Sequence, residues 1–264
     1  MCLIAIAWNI HPRFPLALIA NRDESHARPA AAAGIDPEAP DVYGGRDLVG
    51  GGSWLQVSTR GRLAAVTNVR DGLAPEAAPR SRGWLVRDFV RGDTPAGQYV
   101  EALQPLAHDY GRFNLLVWDG DALAFASNHP AMHAPVAPGV HAVSNGAFDA
   151  AWPKSGHATR ALTAWLESLA DRADPTNGPD LIEPLFAALA DTATAPDASL
   201  PDTGIGLELE RALSPPFVLG ETYGTRSSSV VLVERERIVF AERRFGSNAQ
   251  PLGGSVEELA RTVA

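Results

Sequence analysis

Two short apolar segments near the amino terminus, CLIAIAW at Cys2–Trp8 and LALIA at residues 16–20, decide the fold. Both are rich in the apolar and β-branched residues of buried strands, and the residues between them include two prolines that suit a hairpin loop. The second segment continues without a spacer into the polar block NRDE at residues 21–24. The sequence therefore predicts a buried hairpin whose second strand ends on four polar side chains.

Further strands and helices are predicted along the rest of the chain. Three more strand pairs are expected, at residues 54–57 and 63–66, 113–118 and 123–126, and 228–234 and 238–241. Helices are expected at residues 81–90, from Thr94 and Pro95 onwards, at 158–173, at 181–189 and from about Ser255 to the carboxyl terminus. Residues 28–40, rich in Pro and Ala, and residues 192–203 are interpreted as surface segments.

Meandering strand pairs around a helical block are typical of an α+β fold, in which helices pack outside antiparallel sheets. No composition break marks a linker, so residues 1–264 are interpreted as a single domain.

The composition excludes several classes of function. Acidic residues outnumber basic ones by 31 to 22, and the resulting net charge of −9 disfavours a nucleic-acid partner. No apolar run approaches the roughly 20 residues of a membrane span, and the segment after Cys2 has no basic leader, so we expect a cytoplasmic protein. A single cysteine excludes an internal disulfide and a thiolate metal cluster, and no metal site is predicted. The sequence says nothing about the oligomeric state.

The single cysteine, Cys2, has two interpretations. A lone buried thiol usually packs like any small apolar residue. The neighbouring polar block favours a reactive site instead, because such residues are costly to bury unless they pair with one another or with a ligand. The alternative for this block is a surface turn, held by an ion pair of Arg22 with Asp23 or Glu24.

Three more polar residues stand beside predicted strands, where loops commonly present functional groups. Asn68 follows the strand that begins at residue 63, Asn145 follows a strand at residues 140–144, and Arg226 precedes the strand at residues 228–233. Asparagine is also common in ordinary turns, so one such residue alone would mean little.

Taken together, motifs along the whole chain resemble those of the NRDE-motif family, also called the transport and Golgi organisation protein family. The matching stretches are the initial Met-Cys, residues 21–24 with Arg28 and Pro29, 51–56, 58–68, 113–116, 143–145 with residues 152–154, and 223–227. The resemblance implies the four-layer αββα sandwich of the N-terminal-nucleophile (Ntn) hydrolases, built from two mainly antiparallel sheets.

The cysteine amidases of that superfamily suggest catalytic roles by position. They are similar to this chain in carrying an N-terminal Cys, an Arg and Asp after the second strand, and two strand-ending asparagines, which correspond here to Cys2, Arg22, Asp23, Asn68 and Asn145. Arg22 would favour the thiolate, Asp23 would orient the terminal amine, Asn68 would stabilise an oxyanion, and Asn145 would bind substrate or support the amine. The substrate-binding candidates are Asn21, Glu24, Trp54 and Arg226, although Trp54 also suits a packing role.

Two functional hypotheses follow. The first is a hydrolase or acyltransferase that acts on an amide, ester or thioester of a small molecule through a Cys2 acyl intermediate; it requires no cofactor, but it requires removal of Met1. The second, implied by relatives linked with haem movement and lipid homeostasis, is a carrier that binds haem or a hydrophobic metabolite in the same pocket. Cys2 and His26 are its candidate haem ligands, and an isolated histidine more often lies at the surface.

Overall fold

The structure, a computed structural model, describes residues 2–73, 78–170 and 179–262. The described strands are β1 (Cys2–Trp8), β2 (Leu16–Ser25), β3 (Ala30–Asp36), β4 (Ala39–Asp47), β5 (Leu55–Ser58), β6 (Arg62–Asn68), β7 (Phe113–Trp118), β8 (Leu123–Asn128), β9 (Ala131–Pro135), β10 (Gly139–Val143), β11 (Tyr223–Val233), β12 (Arg237–Phe245) and β13 (Pro251–Ala260). The α-helices are α1 (Gly83–Arg91), α2 (Ala96–Leu103), α3 (Pro153–Ala170), α4 (Pro179–Leu189) and α5 (Leu207–Ala212).

The strands form two antiparallel sheets. The first has six strands in the order β10-β1-β2-β11-β12-β13, and the second has seven in the order β3-β4-β5-β6-β7-β8-β9. The N-terminal hairpin therefore lies in the middle of the first sheet, with β11 from the far end of the chain beside it. This central position explains why both of its strands are apolar on both faces.

Three apolar cores separate four layers. One core lies between the sheets and includes Ile4, Leu116 and Trp118. A second packs α3 and α4 against the first sheet, and a third packs α1 and α2 against the second sheet. The predicted α+β, four-layer αββα sandwich is confirmed.

Side-chain alternation along β1 and β2 sets the two faces of the hairpin. Ile4 and Ile6 belong to the core between the sheets, whereas Leu3 and Ala5 belong to the core under α3 and α4. Because successive side chains of a strand point to opposite faces, Cys2 shares the face of Ile4, which is the face between the sheets.

One prediction of local structure is wrong, and another, a surface segment at residues 28–40, is incomplete because it missed a strand. The Pro- and Ala-rich residues 28–40 contain β3 and the start of β4, at the edge of the second sheet. The segment from Ser255 is not a helix but part of β13, which pairs with β12 along its length. In both places, backbone pairing with a neighbouring strand outweighs a local preference for other structures.

The other predicted helices agree with the structure except at their ends. Helix α3 begins at Pro153, five residues before the predicted start, and residues 171–173 of that prediction lie outside the described residues. Helix α5 was not predicted. In the described part of the chain, none of the helices has the length and apolar character needed to cross a bilayer.

Candidate active site

A cavity of about 470 Å³ lies where the two sheets end together, beside the start of β1. This volume is in the usual range for sites that hold small molecules. Of the residues predicted from the sequence, those that line it are Cys2, Arg22, Asp23, Glu24, Trp54, Asn68 and Arg226. Asn21 and Asn145 are not among the described residues of its wall.

Cys2 and Arg22 are neighbours across the hairpin. They are register partners of β1 and β2, and only 7% and 8% of each residue is exposed. The Arg22 guanidinium lies 3.6 Å from the Glu24 carboxylate. Strand β2 continues through the NRDE block to Ser25, so this block is part of a buried strand and not a surface turn.

Burial governs the acidity of the Cys2 thiol. Removal from water raises the pKa of Cys2, and the nearby Asp23 carboxylate raises it further. Arg22 and a hydrogen bond with the backbone of Asp23 act in the opposite direction but do not reverse the shift. Arg22 thus acts toward the thiolate, in the sense of its predicted role, but burial has the larger effect on the pKa of Cys2.

This raised pKa predicts slow alkylation of Cys2 at neutral pH. Thiolate, not thiol, attacks iodoacetamide, so the rate of Cys2 modification should rise to a midpoint above that of a free cysteine, near pH 8.5. Mass spectrometry of the alkylated protein across a pH series measures this midpoint, with glutathione as the matched free thiol. A midpoint below that of glutathione would mean that Arg22 prevails over burial.

Asp23 is held on the helix side of the hairpin. Its carboxylate accepts a hydrogen bond of 2.7 Å from the Thr225 hydroxyl, and its backbone carbonyl accepts one of 3.0 Å from Tyr223. Burial raises the pKa of Asp23, and the buried ammonium of Lys154 opposes this shift. Asp23 is thus fixed by β11 and by the first turn of α3.

The two asparagines form one unit that joins the sheets. Asn145 Nδ2 donates to the Asn68 backbone oxygen at 2.9 Å and to Asn68 Oδ1 at 3.1 Å. Since Asn68 Oδ1 is an acceptor here, the amide of Asn68 keeps its Nδ2 donor group for the cavity. Ser144 extends the unit toward Cys2, because its hydroxyl donates to the Cys2 carbonyl at 2.8 Å.

Asn145 therefore acts on the cavity through Asn68. It is completely buried and lies directly after Ser144, two residues beyond the end of β10. Direct substrate binding by Asn145, one of its two predicted roles, does not agree with this position.

Asn21 lies on the other face of the hairpin. Its amide donates to the carbonyls of Leu189 and Pro216, each at 2.8 Å, and accepts from Ser228 at 2.6 Å. Asn21 therefore lies away from the described cavity wall, where its predicted substrate-binding role would place it. The residue is one position from Arg22 along an extended strand, so its side chain points to the opposite layer.

The remaining candidates lie at the cavity wall. Arg226 donates to the carbonyls of Ser25 at 2.8 Å and Arg28 at 2.9 Å, so it holds the chain that leaves β2. Trp54 is half-buried and packs against two of the apolar cores. Trp54 therefore packs against the cores, as predicted, and also lines the cavity.

Several contributors were missed in the sequence. Thr225, Ser144 and Lys154 are all buried around the hairpin, on segments far apart along the chain. Of these three, Lys154 could have been noticed from its helix position. A lysine is unfavourable in the first turn of a helix, because the helix dipole is positive at that end. The haem candidate His26 is not part of the described cavity wall, and Met1 lies outside the described residues.

The fold is similar to that of a known amidase. Penicillin V acylase from Agrobacterium tumefaciens superposes with a TM-score of 0.51 over 97% of this chain and 85% of the acylase, at 10% sequence identity. At this identity the similarity establishes the fold alone, which is that of the Ntn hydrolases.

Sequence comparisons identify the family. The model of the family "Transport and Golgi organisation 2" matches residues 1–247. The Transport and Golgi organization protein 2 homologues of Bos taurus and Homo sapiens are 32% and 30% identical to this chain, and in each case the match covers 92% of both chains. The Met-Cys start, the NRDE block and the strand-ending asparagines thus belong to a chain-long likeness, and this protein is a member of the Transport and Golgi organisation 2 family.

Proposed function

We propose that this protein is a cysteine hydrolase or acyltransferase that acts on an amide, ester or thioester carbonyl of a small molecule. One observation carries the proposal: the thiol of Cys2 borders the same cavity as the Asn68 amide, whose orientation is set by Asn145. A nucleophile and a fixed amide donor are the two groups that acyl transfer requires.

In the proposed reaction, Cys2 Sγ attacks the carbonyl carbon while its proton passes to the α-amino group that removal of Met1 would leave on Cys2. A terminal amine has an ordinary pKa near 8, so it is a competent base at neutral pH. The amine then gives this proton to the leaving group as the tetrahedral intermediate collapses to a thioester. Water, or a second nucleophile in a transferase, then releases the acyl group and restores the thiol.

The surrounding residues have separate tasks in this reaction. Asn68 Nδ2 donates to the oxyanion of the tetrahedral intermediate, and Asn145 is a positioning residue that acts through Asn68. Asp23, held by Thr225, orients the amine. Arg22 partly offsets the cost of forming a thiolate in a buried place.

The Asn68 role predicts a large kinetic effect. Asn68→Ala should lower kcat by about 10²–10³-fold, since one oxyanion donor contributes roughly 3–4 kcal/mol to the barrier. KM for a p-nitrophenyl ester should change little, because the donor acts mainly in the transition state. The Asn145→Ala variant should show a smaller loss in kcat. If Asn68→Ala retained full kcat, the oxyanion would have another donor.

The function itself is tested by mass spectrometry of the purified protein. We expect an intact mass that lacks Met1 and, after brief exposure to p-nitrophenyl octanoate, an octanoyl adduct on Cys2. A form with Met1 retained, made by inserting a processing-resistant residue before Cys2, is the matched control and should release no p-nitrophenol. Absence of both adduct and turnover from the Met1-free protein would refute the proposal.

The carrier hypothesis is the second candidate, and its haem form has less support. Of the two suggested haem ligands, Cys2 lines the described cavity and His26 does not. The thiol is also almost completely buried. Haem titration with the Cys2→Ala variant as control separates the two hypotheses: a saturable Soret shift that needs Cys2 would favour the carrier.

A further inference from the structure

The cavity has the opposite charge balance to the whole protein. The chain carries a net charge of −9, yet the described cavity wall contains more arginines than carboxylates. The arginines are Arg22, Arg28, Arg46, Arg80, Arg82, Arg226 and Arg244, and the acidic residues are Asp23, Glu24, Asp47 and Glu242. A concave surface of one charge sign concentrates ligands of the other sign.

Part of this positive charge lies in line with the nucleophile. Cys2 pairs with Arg22, Arg22 with Ser227, and Ser227 with Arg244, so one residue from each of four adjacent strands forms a row across the first sheet. Neighbouring strands lie about 4.8 Å apart, so the three steps from Cys2 to Arg244 span roughly 14 Å. The cavity therefore has a reactive end at Cys2 and a cationic end at Arg244.

The hydrogen-bond donors of the Arg244 guanidinium are only partly satisfied by the described residues. Its nearest carboxylate is Glu242, at 3.7 Å, beyond hydrogen-bond distance. The same Glu242 oxygen already accepts a hydrogen bond of 3.0 Å from the Ala33 backbone. Arg244 Nε is buried and has no hydrogen-bond partner among the described residues. The Arg244 side chain as a whole is 35% exposed, and the exposed part of its guanidinium can donate charge-assisted hydrogen bonds to a bound anion.

The second sheet contributes another arginine. Arg46 on β4 lines the same cavity; among the described residues it has no close ion-pair partner, and the Asp36 carboxylate attracts it only from a distance. The two sheets are in close contact here, because the Ala33 backbone of β3 bonds to Glu242 of β12. By contrast, Arg28 is already paired with Asp47 at 2.6 Å.

We propose that the substrate carries a carboxylate or phosphate group, which Arg244 binds at the end of the cavity remote from Cys2, with Arg46 of the cavity wall adding positive charge. This inference rests on the proposed function, since it names the substrate class of that same site. Arginine suits both groups because its planar fork donates two parallel hydrogen bonds to paired oxygens. The anionic group sets the position of the scissile carbonyl, and an uncharged molecule of the same length binds without that anchor.

Binding to the Cys2→Ser variant tests the anion site without any need for turnover. Octanoate, octyl phosphate and octanol are titrated by calorimetry, which distinguishes the two anions from a neutral molecule of equal chain length. At least one anion should bind at least about tenfold more tightly than octanol, in line with charge-assisted hydrogen bonds, and should weaken as salt is raised. Equal affinities for all three would overturn the proposal, and so would no binding by either anion.

Single arginine variants assign the preference to residues. In the Cys2→Ser background, Arg244→Gln and Arg46→Gln should each reduce anion affinity by about tenfold and leave octanol binding unchanged. Arg235→Gln is the matched control, since Arg235 is exposed in the turn between β11 and β12, away from the cavity. Arg244→Lys, which keeps the charge, should retain part of the affinity even where Arg244→Gln unfolds. Equal anion affinity in the Arg235, Arg244 and Arg46 variants would contradict the assignment.

A kinetic comparison separates this inference from the function on which it rests. The Met1-free protein is assayed with p-nitrophenyl octanoate and with the mono-p-nitrophenyl ester of octanedioic acid, whose far end is a carboxylate. The diacid ester should have the lower KM, and Arg244→Gln should remove the difference. Anion binding without turnover of either ester would refute the proposed enzymatic function but support the anion site. Turnover of both esters with equal KM would support the enzymatic function but refute the anion site.

Discussion

Replacing Cys2 by Ala is expected to reduce ester turnover by at least about 10³-fold in kcat/KM, which corresponds to roughly 4 kcal/mol of lost transition-state stabilisation. The physical reason is that alanine cannot form the covalent acyl intermediate, whereas the remainder of the cavity is left in place. Initial rates of p-nitrophenol release, followed at several ester concentrations, measure the loss.

The matched control must keep the amino terminus processed. In Cys2→Ser, a hydroxyl of nearly the same size replaces the thiol, so removal of Met1 should be unaffected. Intact mass checks this for the wild type and for both variants. The serine variant should also lose turnover, because an alcohol is a far weaker nucleophile than a thiolate without stronger base assistance. Unchanged rates in both variants would show that Cys2 packs as a simple apolar residue.

Breaking the buried ion pair between Arg70 and Glu210 should cause the largest loss of stability. These side chains are 7% and 3% exposed, and Glu210 also accepts hydrogen bonds from the Thr203 backbone and hydroxyl, at 2.8 and 2.6 Å. Glu210→Gln removes the carboxylate charge from this buried pair, and breaking such a pair typically costs about 3–5 kcal/mol of unfolding free energy. For a chain of this length, Tm should fall by roughly 10 °C.

This ion pair also supports the candidate site. Arg70 follows Asn68 by two residues, and its backbone N–H donates to the Asn145 carbonyl at 2.8 Å. We therefore expect Glu210→Gln to lower turnover of the folded fraction as well. Glu208→Gln, an exposed change on the same helix, is the control and should shift the free energy of unfolding by less than about 0.5 kcal/mol. Similar losses in both variants would mean that the ion pair contributes little.

The layers and central strands of this fold could be predicted because their signals are local. CLIAIAW and LALIA are apolar at every position, and such runs are buried whatever they pair with. The strand at residues 251–260 has no such signal. It is mostly exposed and contains Glu257 and Glu258, so its conformation depends on the unpaired edge of β12.

The candidate site shows the same division. Cys2, Arg22 and Asp23 are on one hairpin, so their proximity follows from the sequence once the hairpin is recognised. The bond between Asn145 and Asn68 joins residues 77 positions apart, one in the segment after β10 and the other at the end of β6, and nothing in the sequence around either residue specifies it. Asn21 was misplaced for a simpler reason: one step along an extended strand exchanges the two faces of the sheet.

The central position of the N-terminal hairpin has a consequence for biosynthesis. Strand β2 pairs with β11, and the Asp23–Thr225 hydrogen bond closes a loop of 202 residues. Contacts between such distant residues form slowly, and during translation they must wait until the chain beyond residue 233 has left the ribosome. The amino terminus therefore remains open to processing enzymes through most of synthesis. Cys2 can become the first residue early in synthesis, whereas the cavity beside it is assembled last.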